Sequence, residues 1–424
     1  MEYDKAIEWM FQQLPMFQRQ GATAMKKDLT NIRLMVERLG NPHKTLRFVH
    51  LAGTNGKGTC SHLIASLLQA SDLRVGMYTS PHYKDYRERI KINGQQVSKN
   101  FVQDFIQRHQ STFEDIRPSF FEWSFAMSLA YFAEQKVDWV VLETGLGGRL
   151  DSTNIVDPEI CLITNIGFDH QQFLGDTLPE IAGEKAGIIK PGTPVVVGEY
   201  QEEIFSVFTK KANVESSPIY VAERLVQVLE QEDKFIVHGL FDHSFEVKAD
   251  IGGPFAARNI QSSLATFQVL YSKHLELKLD EEQISRALSQ AAKNTYYIGR
   301  WMLIGQNPII LMDSAHNAEG ISGILNALGQ KEFDRLHIVF ATVGDKDLSG
   351  VLPLFPQGAS YYFTQAKIPR AKMADQLKEE AKTFGLIGKA FADSTLAMEA
   401  AKQNAKQSDL ILVIGSIFIV AELI

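Results

Sequence analysis

The chain has 424 residues, of which 45% are hydrophobic and 22% are charged, and its formal net charge is −7. A chain of this length can bury two or three domain cores, and its acidic balance excludes a general attraction to nucleic acid or to an anionic membrane. Any anionic substrate must therefore be held by local lysine and arginine side chains. The two cysteines, Cys60 and Cys161, show no metal-ligand spacing, which predicts a reduced chain in the cytoplasm.

No segment predicts a membrane anchor. Residues 1–14 form an amphipathic, acidic segment that lacks the basic start and the apolar run of a signal peptide. The most apolar region, residues 410–420, is interrupted by Gly415-Ser416 and is too short to span a bilayer. We interpret it as a buried strand that leads into a helix.

The first part of the chain alternates between two hydrophobic periods. Apolar residues at helical spacing predict helices, at residues 1–14, 31–39, 61–70, 101–109, 121–135 and 178–189. Short apolar runs that end in polar residues predict strands, at residues 47–52, 75–79, 137–142, 160–166 and 194–197. Alternation of this kind predicts a mainly parallel, doubly wound sheet, in which functional sites lie at the carboxyl ends of strands.

The pattern changes twice further along the chain. Between residues 213 and 248, short alternating segments predict antiparallel strands attached to the main sheet, and helices follow at 256–272 and 281–293. After a boundary at residues 294–299, strands at 309–312, 336–340, 361–363 and 410–414 predict a second, smaller α/β domain. We therefore expect an N-terminal domain at residues 1–295 and a C-terminal, Rossmann-like domain at residues 296–424.

A glycine-rich turn at residues 53–59, GTNGKGT, joins the strand at 47–52 to a helix. Its glycines let backbone N–H groups point inward at a helix N-terminus, an arrangement that binds phosphate oxygens and predicts a P-loop domain. Lys57 can reach the outer phosphates, and the Thr59 hydroxyl can bind a phosphate or its Mg²⁺. The spacing departs from the common phosphate-loop pattern, because Leu51 replaces its first glycine and Gly58 separates Lys57 from Thr59. A plain structural turn would explain the glycines but not the positions of Lys57 and Thr59.

Other polar residues follow the ends of predicted strands. Ser80, Glu143 and His170 each lie at or just beyond such an end, on the edge where the glycine-rich turn is expected. The Glu143 carboxylate can hold Mg²⁺ beside a bound nucleotide, whereas the alternative is an ordinary turn carboxylate. A single histidine after a strand, such as His170, is more often a hydrogen-bonded loop residue than a metal ligand.

Lys185 falls on an apolar stripe of the predicted helix at 178–189, together with Ile181 and Ile188. A charged lysine is costly on a buried stripe, so its pKa should fall. The neutral amine can then react with CO₂ to form a carbamate, which acts as a carboxylate and can bind a metal. The pattern alone favours the alternative, in which the Lys185 side chain reaches solvent from the edge of the stripe.

In the second predicted domain, the stretch 313–317, DSAHN, follows an apolar strand and precedes a helix. It places Asp313, His316 and Asn317 at the carboxyl edge of a sheet, where they could take part in catalysis or binding. A capping turn explains the same residues, because aspartate and asparagine both accept hydrogen bonds from the first N–H groups of a helix. The residues alone favour neither interpretation.

Several stretches together resemble one family. The turn at 53–59 looks like the phosphate loop of the Mur-ligase superfamily. Other stretches are similar to the folylpolyglutamate synthase/dihydrofolate synthase branch: residues 78–82 (YTSPH), 87–90 (RERI), 143–154 (ETGLGGRLDSTN), 169–170 (DH), 184–190 (EKAGIIK) and 313–317 (DSAHN). The matches run through both predicted domains in the family's order. Mild departures are Ser314, where many members have glycine, and Thr59, where many have serine.

The resemblance implies an ATP-dependent amide ligase. Such an enzyme phosphorylates a substrate carboxylate to an acyl phosphate, which the amine of L-glutamate then attacks. The implied substrates are ATP, L-glutamate and a reduced folate, with dihydropteroate as a second acceptor, and the implied metal is Mg²⁺. Two alternatives stay open: another amino-acid ligase of the Mur type that acts on a peptidoglycan precursor, and a nucleotide-dependent switch that ligates nothing. We expect a monomer that binds neither nucleic acid nor membranes.

The resemblance also assigns roles to individual residues. The residues implied to hold the nucleotide are Asn55, Gly56, Lys57, Gly58, Thr59, Asn259, Arg300 and Asp313. Those implied to bind Mg²⁺ are Ser80, Glu143 and His170, and Ser80 also lies with Asp151 at the acceptor substrate. Lys185 would be the family's carbamylated lysine, which reverses the interpretation drawn from the pattern alone. The residues expected to act in catalysis are Lys57, Lys185 and His316.

Overall fold

A computed structural model describes residues 2–16, 28–344 and 346–424 of the chain. The described residues form two compact units: the first runs to Ile251 and includes Phe255–Tyr297, and the second comprises Gly252–Pro254 and Ile298–Ile424. Each unit contains a mainly parallel sheet with helices, so the predicted two-domain α/β class is confirmed. No sequence signal predicts that Gly252–Pro254 groups with the second unit.

The first unit is built around an eight-stranded sheet in the order β4-β3-β2-β5-β1-β6-β7-β8. Its strands are β1 Phe48–Ala52, β2 Val75–Tyr78, β3 Ile90–Ile92, β4 Gln95–Gln96, β5 Trp139–Glu143, β6 Ile160–Ile163, β7 Val195–Val197 and β8 Ile219–Val221. The described pairs are parallel except β2–β3 and β3–β4. Because β1 and β5 are buried along their whole length, both faces of the sheet must be covered.

Helices cover both faces of this sheet. They are α1 Tyr3–Gln13, α2 Thr30–Arg38, α3 Lys57–Gln69, α4 Lys99–His109, α5 Phe120–Glu134, α6 Gln171–Leu174, α7 Leu178–Ala186, α8 Glu202–Val214, α9 Ala222–Leu225, α10 Ala256–Lys273, α11 Glu281–Ser289 and α12 Ala291–Thr295. On one face, α3, α10 and α11 pack with Val49 and Leu51 of β1, and on the other face α1, α2, α4 and α5 pack with Phe48. Side chains of β1 therefore alternate between two helical layers.

Strand β1 lies where the order of the sheet reverses. The chain passes from β1 to β2 on one side, with β5 between them, and later passes from β5 to β6 on the other side of β1. In a parallel sheet, a crevice opens at the carboxyl ends of the strands at such a point. The residues that follow β1, β5 and β6 are therefore neighbours at one edge.

The antiparallel strands between residues 213 and 248 do not join the main sheet. The strands β9 Gln227–Gln231, β10 Lys234–His238 and β11 Phe245–Val247 form a separate three-stranded sheet, which corrects the prediction of an attachment. The antiparallel part of the main sheet is instead the β3–β4 hairpin. Alternation of apolar residues is a local signal for a strand, whereas membership of a sheet depends on partners that are distant in the chain.

The second unit has a six-stranded sheet in the order β12-β13-β17-β14-β15-β16. Its elements are β12 Met302–Gln306, β13 Ile309–Met312, α13 Ala318–Leu328, β14 Leu336–Phe340, β15 Ser360–Phe363, α14 Ala374–Lys382, β16 Gly388–Ala390, α15 Ser394–Asn404, β17 Leu410–Ile414 and α16 Ile417–Leu423. Strand β12 is antiparallel to β13, and the other described pairs are parallel. Across the described ranges, no helix combines the length and the apolar character that a membrane span requires.

Candidate functional site

The glycine-rich turn connects β1 to α3 at the reversal point of the sheet. Gly53 and Gly56 have φ angles of +152° and +84°, which glycine adopts without the steric cost of a side chain. A Cβ atom at Gly53 would lie 1.8 Å from Thr164 Oγ1, and one at Gly56 would lie 2.5 Å from Asn259 Oδ1. The turn is therefore packed against both residues, and α3 begins within it, at Lys57. This is the geometry of an anion site at a helix N-terminus.

Residues that follow β6 hold the turn in shape. The Asn165 carbonyl accepts the N–H of Thr54 at 2.9 Å, and the Asn165 side-chain oxygen accepts the N–H of Asn55 at 2.8 Å. The Thr164 hydroxyl donates to the Asn55 carbonyl at 2.6 Å. Sequence reasoning missed both Thr164 and Asn165, although polar residues directly after a buried strand are the same signal that pointed to Glu143. These hydrogen bonds fix the turn before any ligand arrives.

The Lys57 ammonium group folds back over the turn. It donates to the carbonyl oxygens of Gly53 at 2.9 Å and of Thr54 at 3.3 Å. Thr59 lies in the first turn of α3, and its hydroxyl is 2.9 Å from the hydroxyl of Tyr297. The predicted phosphate-binding residues are therefore together at the start of one helix, and all of them are half-buried.

Glu143 is buried at the end of β5 and faces the glycine-rich turn at residues 53–59, which is the predicted phosphate loop. Its Oε2 accepts the backbone N–H of Ser80 at 3.2 Å. Both carboxylate oxygens would lie 3.8 Å from a Cβ atom at Gly58, near the start of α3. The structure thus brings together Ser80, Glu143 and the loop, as their positions at strand ends predict. Oxygen ligands of this kind suit Mg²⁺.

A buried lysine that sequence reasoning missed lies close enough to Glu143 to interact with its charge. Lys91 is on β3, opposite Met77 of β2, and its ammonium group donates to the Tyr296 carbonyl at 3.2 Å. Burial lowers the pKa of Lys91 to about 8, against the opposing effect of the Glu88 and Glu143 charges. A protonated Lys91 offsets part of the negative charge at Glu143. The sequence gives no signal for this role of Lys91, because a single lysine in a strand of alternating apolar and polar residues is usually exposed.

Lys185 lies on α7 with only 4% of its surface exposed, so the alternative in which its side chain reaches solvent is wrong. Its Nζ donates to the Gly53 carbonyl at 2.8 Å, the same oxygen that accepts from Lys57. Burial and, to a smaller extent, the charge of Lys57 lower the Lys185 pKa to about 7, against the opposing charges of Asp169 and Asp151. Near pH 7 a large share of this amine is therefore neutral, which is the form that reacts with CO₂.

His170 directly precedes the short helix α6 and has a left-handed conformation, with a φ angle of +52°. Its imidazole Nε2 lies 3.8 Å from Asp169 Oδ2. Within the part of the chain that the structure describes, no three His, Cys, Asp or Glu side chains are grouped as a metal site. The predicted Mg²⁺ ligands include only two such residues, Glu143 and His170, with Ser80 as the third, and Mg²⁺ commonly keeps water and phosphate ligands. The role of His170 stays a prediction.

Asp151 is buried just after a glycine-rich segment, residues 145–149, and shapes this loop. One carboxylate oxygen accepts the N–H and the hydroxyl of Thr153, at 2.9 and 2.5 Å, and the other accepts the N–H of Leu146 at 2.8 Å. Burial raises the pKa of Asp151 against the effect of these hydrogen bonds. A Cβ atom at Gly145 would lie 2.6 Å from the Phe121 ring, so the loop packs closely on α5. The predicted contact of Asp151 with an acceptor substrate stays a prediction.

In the second unit, Asp313 follows β13 and organises a turn. It is buried, and its two carboxylate oxygens accept the N–H groups of Trp301 and Ala315, each at 2.7 Å. The exposed Arg300 guanidinium places Nη1 3.7 Å from Asp313 Oδ1. Burial raises the pKa of Asp313, and the charge of Arg300 opposes this effect. The two residues predicted to contact the nucleotide from this unit therefore lie side by side.

His316 and Asn317 complete this turn. The Asn317 side chain accepts the N–H of Gly320 at 2.9 Å and caps α13, so the capping interpretation holds for this residue. His316 Nδ1 lies 3.0 Å from the Ser314 carbonyl oxygen, which can only accept. In a neutral imidazole, Nδ1 therefore carries the proton and Nε2 is an acceptor. The catalytic role of His316 stays a prediction.

Comparisons with known proteins identify the protein family through two domain models and the branch of that family through individual relatives. The Mur ligase middle domain matches residues 51–267, and the Mur ligase glutamate ligase domain matches residues 299–417. The dihydrofolate synthase/folylpolyglutamate synthase of Escherichia coli (strain K12) is 30% identical over 398 residues, which are 93% of this chain and 89% of that protein. A probable bifunctional folylpolyglutamate synthase/dihydropteroate synthase of Haloferax volcanii is 31% identical over 436 residues. This chain spans 50% of the Haloferax protein's length.

Solved structures agree with this assignment over the whole chain. E. coli FolC in complex with DHPP and ADP gives a TM-score of 0.87 at 27% identity, covering 100% of this chain and 97% of that chain. The bifunctional folylpolyglutamate synthase/dihydrofolate synthase from Yersinia pestis, complexed with AMPPNP and Mn ion, gives 0.85 at 28% identity, with coverage of 100% and 97%. The chain belongs to the folylpolyglutamate synthase/dihydrofolate synthase branch of the Mur ligase family, as its motifs predict.

Proposed function

We propose that this chain adds L-glutamate to the carboxylate of a reduced folate, in an ATP-dependent reaction that passes through an acyl phosphate. The observation that carries the proposal is the convergence of Lys57, Lys185 and Glu143 on one phosphate loop, at the reversal point of a parallel sheet. Membership of this branch favours ligation over a nucleotide switch. We include dihydropteroate as a second acceptor, because the E. coli relative is named for dihydrofolate synthesis as well.

The phosphate loop can neutralise the negative charge that gathers when a phosphate is transferred to a carboxylate. Lys57 supplies a mobile ammonium group, and the first turn of α3 supplies the positive end of a helix. Thr164 and Asn165 hold the turn in place, so little reorganisation is needed during the reaction. In the second step, a C–N bond to glutamate forms, the C–O bond to phosphate breaks, and the amine releases a proton.

Ser80 and Glu143 would hold a divalent cation beside the loop. A buried carboxylate is costly unless a positive charge compensates it, and the Glu143 carboxylate faces the start of α3 from a buried position. Its oxygens, the Ser80 hydroxyl and phosphate oxygens suit a hard cation such as Mg²⁺. When bound, Mg²⁺ acts as a Lewis acid that withdraws charge from the phosphates. His170, which follows the neighbouring strand, is proposed as the third protein ligand.

We also propose that Lys185 carries a carbamate. The neutral amine attacks the carbon of CO₂, an N–C bond forms, and one proton is released. In the unmodified chain, Lys185 and Lys57 donate to the same Gly53 carbonyl, so their positive charges repel each other when both are protonated. A carbamate replaces this repulsion with attraction between Lys57 and an anion. The lowered pKa of Lys185, about 7, supports the first step.

Other assignments remain predictions. They concern the contacts of Asn259, Arg300 and Asp313 with the nucleotide, the catalytic role of His316, and the contact of Asp151 with the acceptor. The monomeric state and the cytoplasmic location also stay predictions from the sequence.

An acceptor panel tests the proposed function. Purified protein is incubated with ATP, Mg²⁺, L-glutamate and one acceptor, either a reduced folate, dihydropteroate or a peptidoglycan precursor, and both ADP and amide product are measured. We expect ADP release and product formation with the pterin acceptors. Glutarate, which has the carboxylates of glutamate but no amine, is the matched control and should yield no amide.

The outcomes separate the candidate functions. Product formation with the peptidoglycan precursor alone would assign the chain to another kind of Mur-type ligase. ATP turnover at the same rate without any acceptor, and with no amide detected by mass spectrometry, would support a nucleotide switch. Either result would contradict the proposed function.

A further inference from the structure

A polar seam joins the last residues of the first unit to the phosphate-loop helix. Helix α3 presents three polar residues at positions i, i+3 and i+7, a spacing that places them on one face: Thr59, His62 and Ser66. Each contacts one residue of the segment that closes the first unit, in reverse order: Tyr297, Thr295 and Asn294. We call these six residues the polar seam.

Hydrogen bonds in the inner part of the seam have defined directions. Asn294 Nδ2 donates to Ser66 Oγ at 3.0 Å. The Thr295 hydroxyl donates to the Ala291 carbonyl at 2.5 Å, so it accepts from His62 Nδ1 at 2.6 Å. Burial lowers the pKa of His62 well below its usual range, so the imidazole is neutral and carries its proton on Nδ1. The segment is therefore attached to α3 by fixed donor–acceptor pairs.

The seam extends from the core to the phosphate loop. His62, Ser66 and Thr295 are buried, whereas Thr59 and Tyr297 at the other end are half-buried. There the hydroxyl groups of Thr59 and Tyr297 are 2.9 Å apart. Because Thr59 lies in the first turn of α3, the last hydrogen bond of the seam involves a predicted nucleotide-binding group.

The surroundings of Tyr297 hold its ring in place. The ring packs edge-on against the His62 imidazole, with centroids 4.9 Å apart and an interplanar angle of 74°. The backbone N–H of Tyr297 donates to the Ala292 carbonyl at 3.0 Å, and Lys91 donates to the carbonyl of the preceding Tyr296 at 3.2 Å. The Tyr297 hydroxyl therefore meets Thr59 from a fixed position.

We propose that Tyr297 is a positioning residue for the nucleotide that acts through Thr59, an inference that rests on the proposed function. A threonine hydroxyl that rotates freely must lose that freedom when it binds a ligand, and this loss weakens binding. The hydrogen bond to Tyr297 fixes the Thr59 side chain beforehand. Tyr297 raises nucleotide affinity in this way without any contact of its own with the nucleotide.

Binding of the non-hydrolysable analogue AMPPNP, with Mg²⁺, to the full chain tests this role by calorimetry. Tyr297→Phe keeps the ring and removes the hydroxyl, and should raise the Kd about three- to tenfold, the usual effect of one hydrogen bond. Tyr296→Phe is the matched control. The Tyr296 ring is exposed and lies 6.0 Å from Lys91 Nζ, a contact that phenylalanine retains, so its Kd should equal that of the wild type.

A double-mutant cycle separates positioning from general support of the fold. In a Thr59→Val background, Tyr297→Phe should cause no further loss of affinity, because the partner hydroxyl is already absent. An equal loss in both backgrounds would overturn the inference, and so would an unchanged Kd for Tyr297→Phe alone. If the wild-type chain does not bind AMPPNP, the proposed function fails and this inference fails with it.

Discussion

Two turns, residues 53–59 and 313–317, have the same place in their sheets but differ in how the N-terminus of the next helix is capped. Each follows the carboxyl end of a strand in a mainly parallel sheet and leads into a helix, α3 or α13. Helix α13 is preceded by Asn317, whose side chain accepts the N–H of Gly320. Helix α3 is preceded by Gly56, which has no side chain that could cap the helix. The second turn is therefore capped by the protein itself, whereas the first is suited to an external anion.

The charged residues of the two turns also differ in whether the protein itself compensates their charge. Asp313 uses both carboxylate oxygens to accept backbone N–H groups of its own unit. Lys57 and Lys185 instead donate to one oxygen, the Gly53 carbonyl, where their positive charges repel each other when both lysines are protonated. Two turns at the carboxyl ends of strands can therefore have different chemistry. The chemistry depends on whether a turn satisfies its own polar and charged groups or leaves that to a ligand.

Removal of the Lys57 charge should cause the largest loss of activity, because this charge distinguishes the first turn from the second. Lys57→Met keeps most of the side-chain volume and removes the ammonium group that we propose to stabilise the phosphates during transfer. We expect kcat to fall by about 10²- to 10³-fold, the usual cost of losing one group that stabilises charge in a transition state. The rate of glutamate-dependent ADP release measures the effect.

Lys234→Met is the matched control for this change. Lys234 forms an exposed ion pair with Glu246 at 2.7 Å, and such pairs contribute little to stability. Its kcat should equal that of the wild type. A kcat for Lys57→Met above about a tenth of the wild-type value would contradict the central role of the phosphate loop.

Lys185→Ala should have the next largest effect. If the carbamate supports the metal ligands and the loop, its removal costs about 10- to 100-fold in activity. Added formate, a small carboxylate, should enter the space left by the side chain and restore part of the activity. Formate should not restore Lys57→Met, which lacks a cation rather than an anion. Full activity of Lys185→Ala without formate would refute the carbamate.

The fold could be predicted where the signal is local. Strand β17 occurs at its predicted residues, because a strand buried on both faces is apolar over its whole length. Helix α8 is missing from the predicted elements, although its buried residues Ile204, Phe208 and Ala212 recur at helical spacing. The order of the strands and the separate three-stranded sheet depend on partners that are distant in the chain, which no local pattern encodes.

The same distinction applies to the site. Lys57 and Glu143 could be predicted, because their residue types and their positions at strand ends are visible locally. Asn165 carries the same local signal, because it follows the buried strand β6, although the prediction missed it. Tyr297 carries no such signal, because it contacts α3 from 238 residues away. The burial of Lys185 also depends on neighbouring elements, which explains why the helical pattern alone favoured an exposed side chain.

The Lys185 pKa predicts a smaller, pH-dependent effect. After removal of CO₂, the rate of reactivation at a fixed CO₂ concentration should follow the neutral fraction of the amine. With a pKa of about 7, this rate rises about tenfold between pH 6 and pH 8 and then levels off. An ordinary lysine, with a pKa of about 10.4, would give a roughly hundredfold rise without levelling. A rate that continues to rise steeply above pH 8 would contradict the lowered pKa.

The smallest effect should be local to the second turn. Asp313→Asn replaces two carboxylate oxygens with one amide oxygen. Only one of the two backbone N–H groups, of Trp301 or of Ala315, then keeps its acceptor. Without nucleotide, we expect hydrogen exchange at these amides to become about tenfold faster. Asp393→Asn is the matched control, since Asp393 caps α15 through the single N–H of Leu396 and asparagine caps equally well. If exchange in Asp313→Asn is as slow as in the wild type, the turn does not depend on its carboxylate, and its contrast with the phosphate loop fails.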